Sequence, residues 1–357
     1  MKILHIITNT ELGGAQKVCI DLCRSAVNDG HNVGVASMDG GYLWEQLPET
    51  ALQFKLKHLV KPISPWKDFL TFFELRKVVK KFKPDIIHLH SSKAGILGRL
   101  VSLGNSKRVV YTVHGFDSIR LKHRAFLPLE KIMQRFTGAI VGVSDYDYKN
   151  LLNEKITNNV CTVCNGIDEK TIIPATDFPV SQSGKKIVLT IARIFPPKKM
   201  QMFFDVAKRF ENENCVFVWA GGSPDYTLDE VRKQYDIPDN VYLMGDVPNA
   251  SRYINLCDLF VLFSDYEGLP MVIIEAMCQK KAVVASNVGG IYSLVDSTNG
   301  SLVENDVETA ATEVRKILSD DNLRETMGEE SYKKYLTSFT LEKMWQEYKN
   351  IYQKLKK

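Results

Sequence analysis

The residues with the most chemical content lie between Leu259 and Met277, where Glu267 and Glu275 stand among side chains that would otherwise simply pack. Leu259–Leu262 reads as a buried strand and Met271–Met277 as an apolar helix, with Glu267-Gly268-Leu269-Pro270 in the loop between. Pro270 suits the first turn of that helix, because its ring pre-sets φ and its missing N–H is not needed there. The amides of Gly268 and Leu269 then open at a helix N-terminus, where unsatisfied N–H groups and the macrodipole favour an anion such as phosphate. Glu275, flanked by Met271, Val272, Ile273, Ile274 and Met277, needs a partner or a wet cleft. One end of the unit is thus suited to phosphate, and its two acids to hydroxyls. Taken singly, Glu275 reads as a solvated or dipole-assisted glutamate and Glu267 as an ordinary loop acid.

The Glu-x7-Glu spacing around Gly-Leu-Pro resembles the signature of retaining glycosyltransferases of family 4 (GT4), which have the GT-B fold. The resemblance implies that Glu267 contacts the donor sugar and Glu275 the nucleotide ribose. It extends over essentially the whole chain and is of the bacterial surface-polysaccharide type. Gly13-Gly14 occupies the position of the family's Gly-Gly loop, where two glycines before a helix let the backbone approach a pyrophosphate or acceptor. No Gly-x-Gly-x-x-Gly follows the first strand, so this is not a dinucleotide fingerprint. Tyr111-Thr-Val-His114-Gly-Phe-Asp117 resembles the family's strand-end His-Gly motif. It implies His114 on a sugar hydroxyl, with Asp117, Arg120 and Gln16 toward the acceptor.

Thr190-Ile-Ala-Arg193-Ile-Phe-Pro-Pro-Lys198-Lys199 resembles the family's Gly-Arg-Leu…Lys-Gly loop, with Ala192 and Lys199 where glycine is usual. Lys198 aligns without a gap, and Lys199 would take its role after a local shift. Cleaving a nucleotide-sugar bond leaves negative charge on the diphosphate, which paired cations offset, Arg as a planar fork and Lys as a point charge. Ala220-Gly221-Gly222 resembles the Gly-rich turn under the nucleotide, and Gly245-Asp246-Val247 the segment whose backbone touches the base. Ser286-Asn-Val-Gly289-Gly290 is a further family-like turn, read as scaffold.

A chain of 357 residues suits two domains, each able to bury its own core. The chain holds 45% hydrophobic and 25% charged residues, ordinary for a soluble enzyme, and no apolar run reaches the roughly 18–20 residues that span a bilayer. Seven scattered cysteines argue against a disulfide framework, and Cys161-x-x-Cys164 lacks a second pair for zinc. A cytosolic chain is expected. Its net charge of +4 hides an asymmetry: Lys61 to Arg135 holds 16 Lys/Arg against 5 Asp/Glu. There Trp66, Phe69, Phe72 and Phe73 precede Arg76, Lys77, Lys80, Lys81 and Lys83, and a second cluster runs from Arg120 to Leu127. Aromatics beside cations suit an anionic bilayer surface, whereas a solvated face over core aromatics is the plainer alternative. No nucleic-acid recognition motif accompanies the charge.

Apolar strands are expected at residues 2–8, 32–38, 85–90, 108–113, 139–143 and 160–163, then at 186–192, 215–220, 241–243, 259–262 and 282–286. Intervening helical patterns such as 15–28 make this a βα alternation, hence parallel sheets covered on both faces. Ser144 reads as the N-cap of a helix with Asp145 and Asp147 in its first turn, a better account of that Asp-x-Asp pair than metal. The Pro-, Gly- and Ser-rich stretch from Asn165 to Lys185 is read as a linker. The expected organisation is an α/β GT-B protein: two doubly wound Rossmann-like domains facing a central cleft. Residues 1–168 form an acceptor-binding domain completed by a C-terminal helix at 340–357 crossing back to it, and 169–339 a nucleotide-sugar-binding domain.

The expected activity is metal-independent, retaining transfer from a nucleotide-diphosphate sugar, UDP- before GDP-linked, with no tightly bound cofactor. The expected acceptor is an undecaprenyl-pyrophosphate-linked oligosaccharide at the inner face of the cytoplasmic membrane, with peripheral contact to anionic lipid. A small soluble acceptor and a non-catalytic sugar-nucleotide-binding scaffold are the alternatives. Sugar, base, linkage and oligomeric state are not legible at this stage.

Overall fold

The computed structural model describes residues 1–356 apart from residue 12, residues 179–183 and residue 224. The chain divides into two compact units, Met1–Gly166 with Leu341–Lys357, and Ile167–Thr340.

The first unit is built on seven parallel strands: β1 (Lys2–Ile6), β2 (Asn32–Met38), β3 (Leu52–Leu56), β4 (Ile86–Leu89), β5 (Val109–Val113), β6 (Ala139–Gly142) and β7 (Val160–Thr162). Their order is β3-β2-β1-β4-β5-β6-β7, so the winding reverses between β1 and β4. The central strands are mainly apolar, broken by His5, His88 and Thr112, because helices cover both sheet faces, leaving Ile3, Leu4, Ile86, Val109 and Val110 with no exposed area. The helix Gly14–Asn28 buries Val18, Cys19, Leu22, Cys23 and Ala26 at helical spacing. The final helix, Leu341–Lys356, belongs to this unit and buries Met344, Trp345, Tyr348 and Tyr352. Its anchors are polar as well as apolar. Trp345 Nε1 donates to Asp29 at 2.8 Å, Tyr352 hydroxyl meets His88 at 2.7 Å, and Tyr348 hydroxyl meets Thr112 at 2.8 Å. A buried ion pair braces the sheet: Arg99, with no exposed area, holds both oxygens of Glu130 at 2.9 and 2.7 Å and stacks over Tyr111.

The second unit has six parallel strands, β8 (Lys186–Ile191), β9 (Cys215–Ala220), β10 (Val241–Gly245), β11 (Leu259–Leu262), β12 (Val283–Ser286) and β13 (Gly300–Val303), ordered β10-β9-β8-β11-β12-β13. The winding reverses between β8 and β11, and ligands of doubly wound sheets bind at the carboxyl ends of strands at such a point.

Two strands go unseen in the sequence. β3 alternates polar and apolar residues at the sheet edge, with Leu52 55% exposed, and β13 contains Gly300 and Ser301 directly after a turn. Ser144 caps its helix, accepting from the Asp147 amide at 3.2 Å, as its residue type suggests. The linker reading fares less well: residues 167–178 belong to the second unit, where the Ala175 amide donates to the Arg252 carbonyl at 2.8 Å. Its Gln182 and Ser183 lie outside the described residues. No described helix is long and apolar enough to cross a membrane.

Candidate active site

At the carboxyl ends of β8 and β11, two loops are zipped together. The Asp265 amide donates to the Pro197 carbonyl at 2.9 Å and the Lys199 amide to the Phe263 carbonyl at 3.0 Å. This pairing sets Lys198 against Glu267, whose Oε1 receives the Lys198 ammonium and also the Ser264 hydroxyl, the latter at 2.8 Å. Lys199 instead reaches Asp265 at 3.1 Å. Arg193, just past β8, is exposed and makes no side-chain hydrogen bond or ion pair among the described residues. A carboxylate held by one cation and one hydroxyl, with an uncompensated guanidinium in the preceding loop, is an arrangement that can exchange internal partners for an anion and hydroxyls.

Beneath Glu267 the scaffold is polar and closed. The Ser286 hydroxyl receives the Ser264 amide at 3.0 Å and donates to Asn305 at 2.6 Å, and Asn305 returns a bond to the Ser264 carbonyl at 3.1 Å. The Gly290 amide donates to the Glu267 carbonyl at 3.2 Å. Gly289 must be glycine here: its φ is +57°, and an added Cβ would fall 1.7 Å from the Glu267 carbonyl oxygen.

Pro270 is not in the first helical turn. It occupies the cap, with φ −69° and ψ 118°, and the helix begins at Met271, because the chain leaves the loop extended before it coils. Gly268 and Leu269 precede this cap, and the Leu269 side chain is buried. Glu275 lies within the helix and is 6% exposed, buried as its apolar neighbours suggested. Gly222 adjoins the Arg193 loop, its carbonyl accepting from the Ile194 amide at 2.8 Å and its amide donating to Asp246 at 2.9 Å. An added Cβ on Gly222 would meet Asp246 at 2.6 Å. Val247 follows β10, the edge strand, two places from β8.

In the first unit, Gly13 is the extended cap of the helix Gly14–Asn28, with φ −173°, a conformation open to any residue. Gln16 is 8% exposed and donates to the Asn9 carbonyl at 3.0 Å, which ties up its amide in its own loop. Asp117 is 3% exposed, with one oxygen accepting from Arg120 Nε at 2.9 Å and the other from the Tyr146 hydroxyl at 2.9 Å. It therefore braces the turn after β5 and holds Arg120 in place. His114, half-buried at the end of β5, has its pKa pushed down to about 4 by burial and is neutral at physiological pH. Its Nε2 lies 3.3 Å from His90 Nδ1.

Sequence reasoning passed over Ser264, Asn305 and His90. Ser264 stands three residues before Glu267 in the same loop, and His90 ends β4 as His114 ends β5; both were open to that inspection. Asn305 lies 41 residues from Ser264, with no local signal. A cavity of about 610 Å³ borders Lys198, Lys199 and Asp265, yet takes in neither Arg193, Glu267 nor Glu275.

Residues 12–171 match the family model described as Glycosyltransferase Family 4, and residues 175–334 the one described as Glycosyl transferases group 1. The chain is 27% identical to the UDP-Gal:alpha-D-GlcNAc-diphosphoundecaprenol alpha-1,3-galactosyltransferase of Escherichia coli, over 99% of this chain and 96% of that protein. It is 29% identical to the O-antigen biosynthesis glycosyltransferase WbnH of Escherichia coli, over 97% of each. The crystal structure of HepE from Anabaena in complex with UDP and glucose shares the fold, with a TM-score of 0.84 at 18% identity and 98% of both chains covered. Two doubly wound units, matched in turn by these adjoining family models, identify the chain as a GT4-type glycosyltransferase of the GT-B fold.

Proposed function

We propose that the protein moves a hexosyl or N-acetylhexosaminyl group, with retention of configuration, from a nucleotide-diphosphate sugar to an undecaprenyl-pyrophosphate-linked oligosaccharide. The carrier is UDP in the first instance and GDP in the second. The product is a surface polysaccharide of the capsule, exopolysaccharide or O-antigen kind. The observation that carries this reading is the Lys198–Glu267–Ser264 cluster, with the unpaired Arg193 in the preceding loop, at the winding reversal of the second sheet. The names of the two Escherichia coli relatives support the acceptor and the pathway class.

In this reading Arg193, Lys198 and the amides of Gly268 and Leu269 take the diphosphate, with Lys199 and the cap at Pro270 beside them. Lys198 leaves Glu267 for phosphate as the donor arrives, which frees the carboxylate for sugar hydroxyls. Glu275 holds the ribose, the backbone at Val247 the base, and the Gly222 turn lies under the nucleotide. Gly13 and Gly14 give a backbone approach to the pyrophosphate. His114 offers a neutral imidazole to a sugar hydroxyl, and Arg120, held by Asp117, faces the acceptor, while Gln16 shapes the loop before the first helix. The anomeric carbon–oxygen bond breaks with its electron pair going to the diphosphate. The acceptor hydroxyl attacks the same face, and its proton passes to the departing phosphate oxygen. Cations placed where that charge develops stabilise the transition state more than the ground state. The reading calls for no resident metal, so turnover persists in chelator.

A membrane-borne acceptor agrees with the helix Pro65–Phe82. Trp66, Phe69 and Phe73 are 70%, 53% and 42% exposed, and they share one stripe with Lys77 and Lys80. That pattern fits peripheral docking on anionic lipid at the cytoplasmic face. The test is release of nucleotide from UDP- and GDP-sugars, then transfer to a synthetic lipid-pyrophosphate acceptor. Glu267→Ala abolishes both and Lys83→Ala neither; if no nucleotide sugar is bound or hydrolysed, the reading falls.

A further inference from the structure

The first turn of one helix is bolted to the turn that carries His114, by contacts the reaction scheme does not use. That helix, Asp145–Asn153, follows β6, and Ser144 is its N-cap. Asp147 stands at the third helical position, where an acidic side chain commonly returns to the backbone amide of the cap. Here one carboxylate oxygen leaves the helix altogether. Asp147 Oδ1 accepts from the Phe116 amide at 2.8 Å, while Oδ2 accepts from the Ser144 hydroxyl at 3.1 Å. Phe116 is two residues beyond His114 and is joined to it through Gly115, whose φ of +103° suits glycine. Held at its amide by Asp147, Phe116 also starts the next turn, its carbonyl accepting from the Ile119 and Arg120 amides at 3.0 and 2.9 Å. The adjacent Tyr146 adds a second bolt, its hydroxyl donating to Asp117 at 2.9 Å.

A carboxylate is a costly group to place here. Asp147 has no exposed area, and burial raises its pKa to about 6, which leaves it ionised near pH 8. It forms no ion pair among the described residues. A buried charge without a counter-charge destabilises a fold, and Ser144 caps the helix by itself. What the carboxylate supplies is a charge-assisted bond to one amide, shorter and stronger than a neutral acceptor would make. The sheet also leaves room for it. An added Cβ on Gly142, the last residue of β6, would fall 3.3 Å from the Asp147 Cβ and 3.0 Å from the Tyr148 amide nitrogen.

We propose that Asp147 is a positioning residue for His114: by fixing the Phe116 amide it sets the course of the turn, and with it the imidazole, toward the donor sugar. The inference rests on the sugar contact proposed for His114, whereas the Asp147–Phe116 bond belongs to the free protein.

The experiment follows donor hydrolysis near pH 8 and hydrogen exchange of the Phe116 amide in the full chain. Asp147→Ala should release that amide to fast exchange and lower kcat about tenfold, the worth of one aligned hydrogen bond, with donor KM changed by less than about twofold. Asp147→Asn, whose carbonyl oxygen can still accept from Phe116, should restore protection and bring kcat to within about threefold of wild type. In a His114→Ala background, itself slowed, Asp147→Ala should cost nothing further. If Asp147→Ala does not fold, Gly142→Ala takes its place, since its methyl shifts Asp147 by a few tenths of an ångström without removing it. At on the order of 10²-fold per ångström that shift should lower kcat about threefold, again only while His114 is present. Wild-type kcat in the folded variant, or an equal loss with His114 already removed, overturns the proposal and leaves the sugar contact standing. Wild-type kcat in His114→Ala overturns the sugar contact, and the positioning role with it.

Discussion

Replacing Gly289 by alanine tests whether the scaffold beneath Glu267 sets the reactivity of that residue. Glycine is at φ +57° there, and a Cβ would sit 1.7 Å from the Glu267 carbonyl oxygen, inside the 3.0 Å that real Cβ atoms essentially never breach. The neighbour is backbone, so Glu267 must retreat by more than an ångström and lose the bond from the Gly290 amide. Misplacement of about 1 Å at a reacting centre costs on the order of 10²-fold in rate. The left-handed conformation itself costs roughly 1 kcal/mol for alanine. Gly30→Ala separates the two effects, because Gly30 has φ +73° with nothing within 4 Å of the added carbon. Both variants should lose roughly 2–4 °C of Tm from the backbone cost. Only Gly289→Ala should also lose about 10²-fold in kcat for donor hydrolysis. Wild-type kcat in Gly289→Ala, with a Tm loss matching Gly30→Ala, would refute the reasoning.

Glu130→Ala leaves the Arg99 guanidinium buried without its carboxylate and should destabilise by about 3–5 kcal/mol in urea unfolding, whereas replacing both by apolar residues should cost far less. Burial depresses the pKa of His88 and His90 far below the ordinary value and that of His114 to about 4. Unfolded histidines near 6.5 then bind protons that the folded ones refuse, so their stability is complete above about 6.5 and is lost toward about 4. Asp147, raised to about 6 by burial, opposes this, favouring the folded state at low pH and losing that as pH rises through 6. Burial also lowers His31 and raises Glu347, so four histidines stand against two acids, and urea midpoints should fall between pH 6.5 and 5; a rise would contradict the burial argument. Reversing Lys77, Lys80 and Lys81 to Glu should weaken partition onto anionic vesicles by at least about 10²-fold, at about 1 kcal/mol per cation. Hydrolysis of a soluble donor should be untouched; unaltered vesicle binding would count against the docking helix.

Both sheets were legible because parallel strands buried on two faces leave mainly apolar runs, as in β11 (Leu259-Phe-Val-Leu262) and in β1, where His5 alone interrupts Ile3, Leu4 and Ile6. β3 and β13 escaped because one is an exposed edge and the other is short and holds glycine and serine. In the site, Glu267 and Glu275 stood out as carboxylates in apolar company, a purely local signal. What spacing does not reveal is pairing. That Lys198 meets Glu267 while Lys199 meets Asp265 depends on the register between two loops 69 residues apart, set by backbone bonds. Gln16 and Asp117 show the converse: their residue types suit recognition, but their hydrogen bonds are spent internally.

The return of the last helix to the first unit has a consequence for biosynthesis. Tyr352 meets His88 across 264 positions of sequence and Trp345 meets Asp29 across 316. A ribosome therefore delivers the opening sheet long before the segment that covers it, whereas the second unit has all its own strands to hand as soon as Thr340 emerges. Units normally mature in the order of their synthesis. Here the earlier one waits, its aromatic seat open, until the segment from Leu341 has been made, and a message truncated before Leu341 yields a nascent product whose first unit lacks that helix.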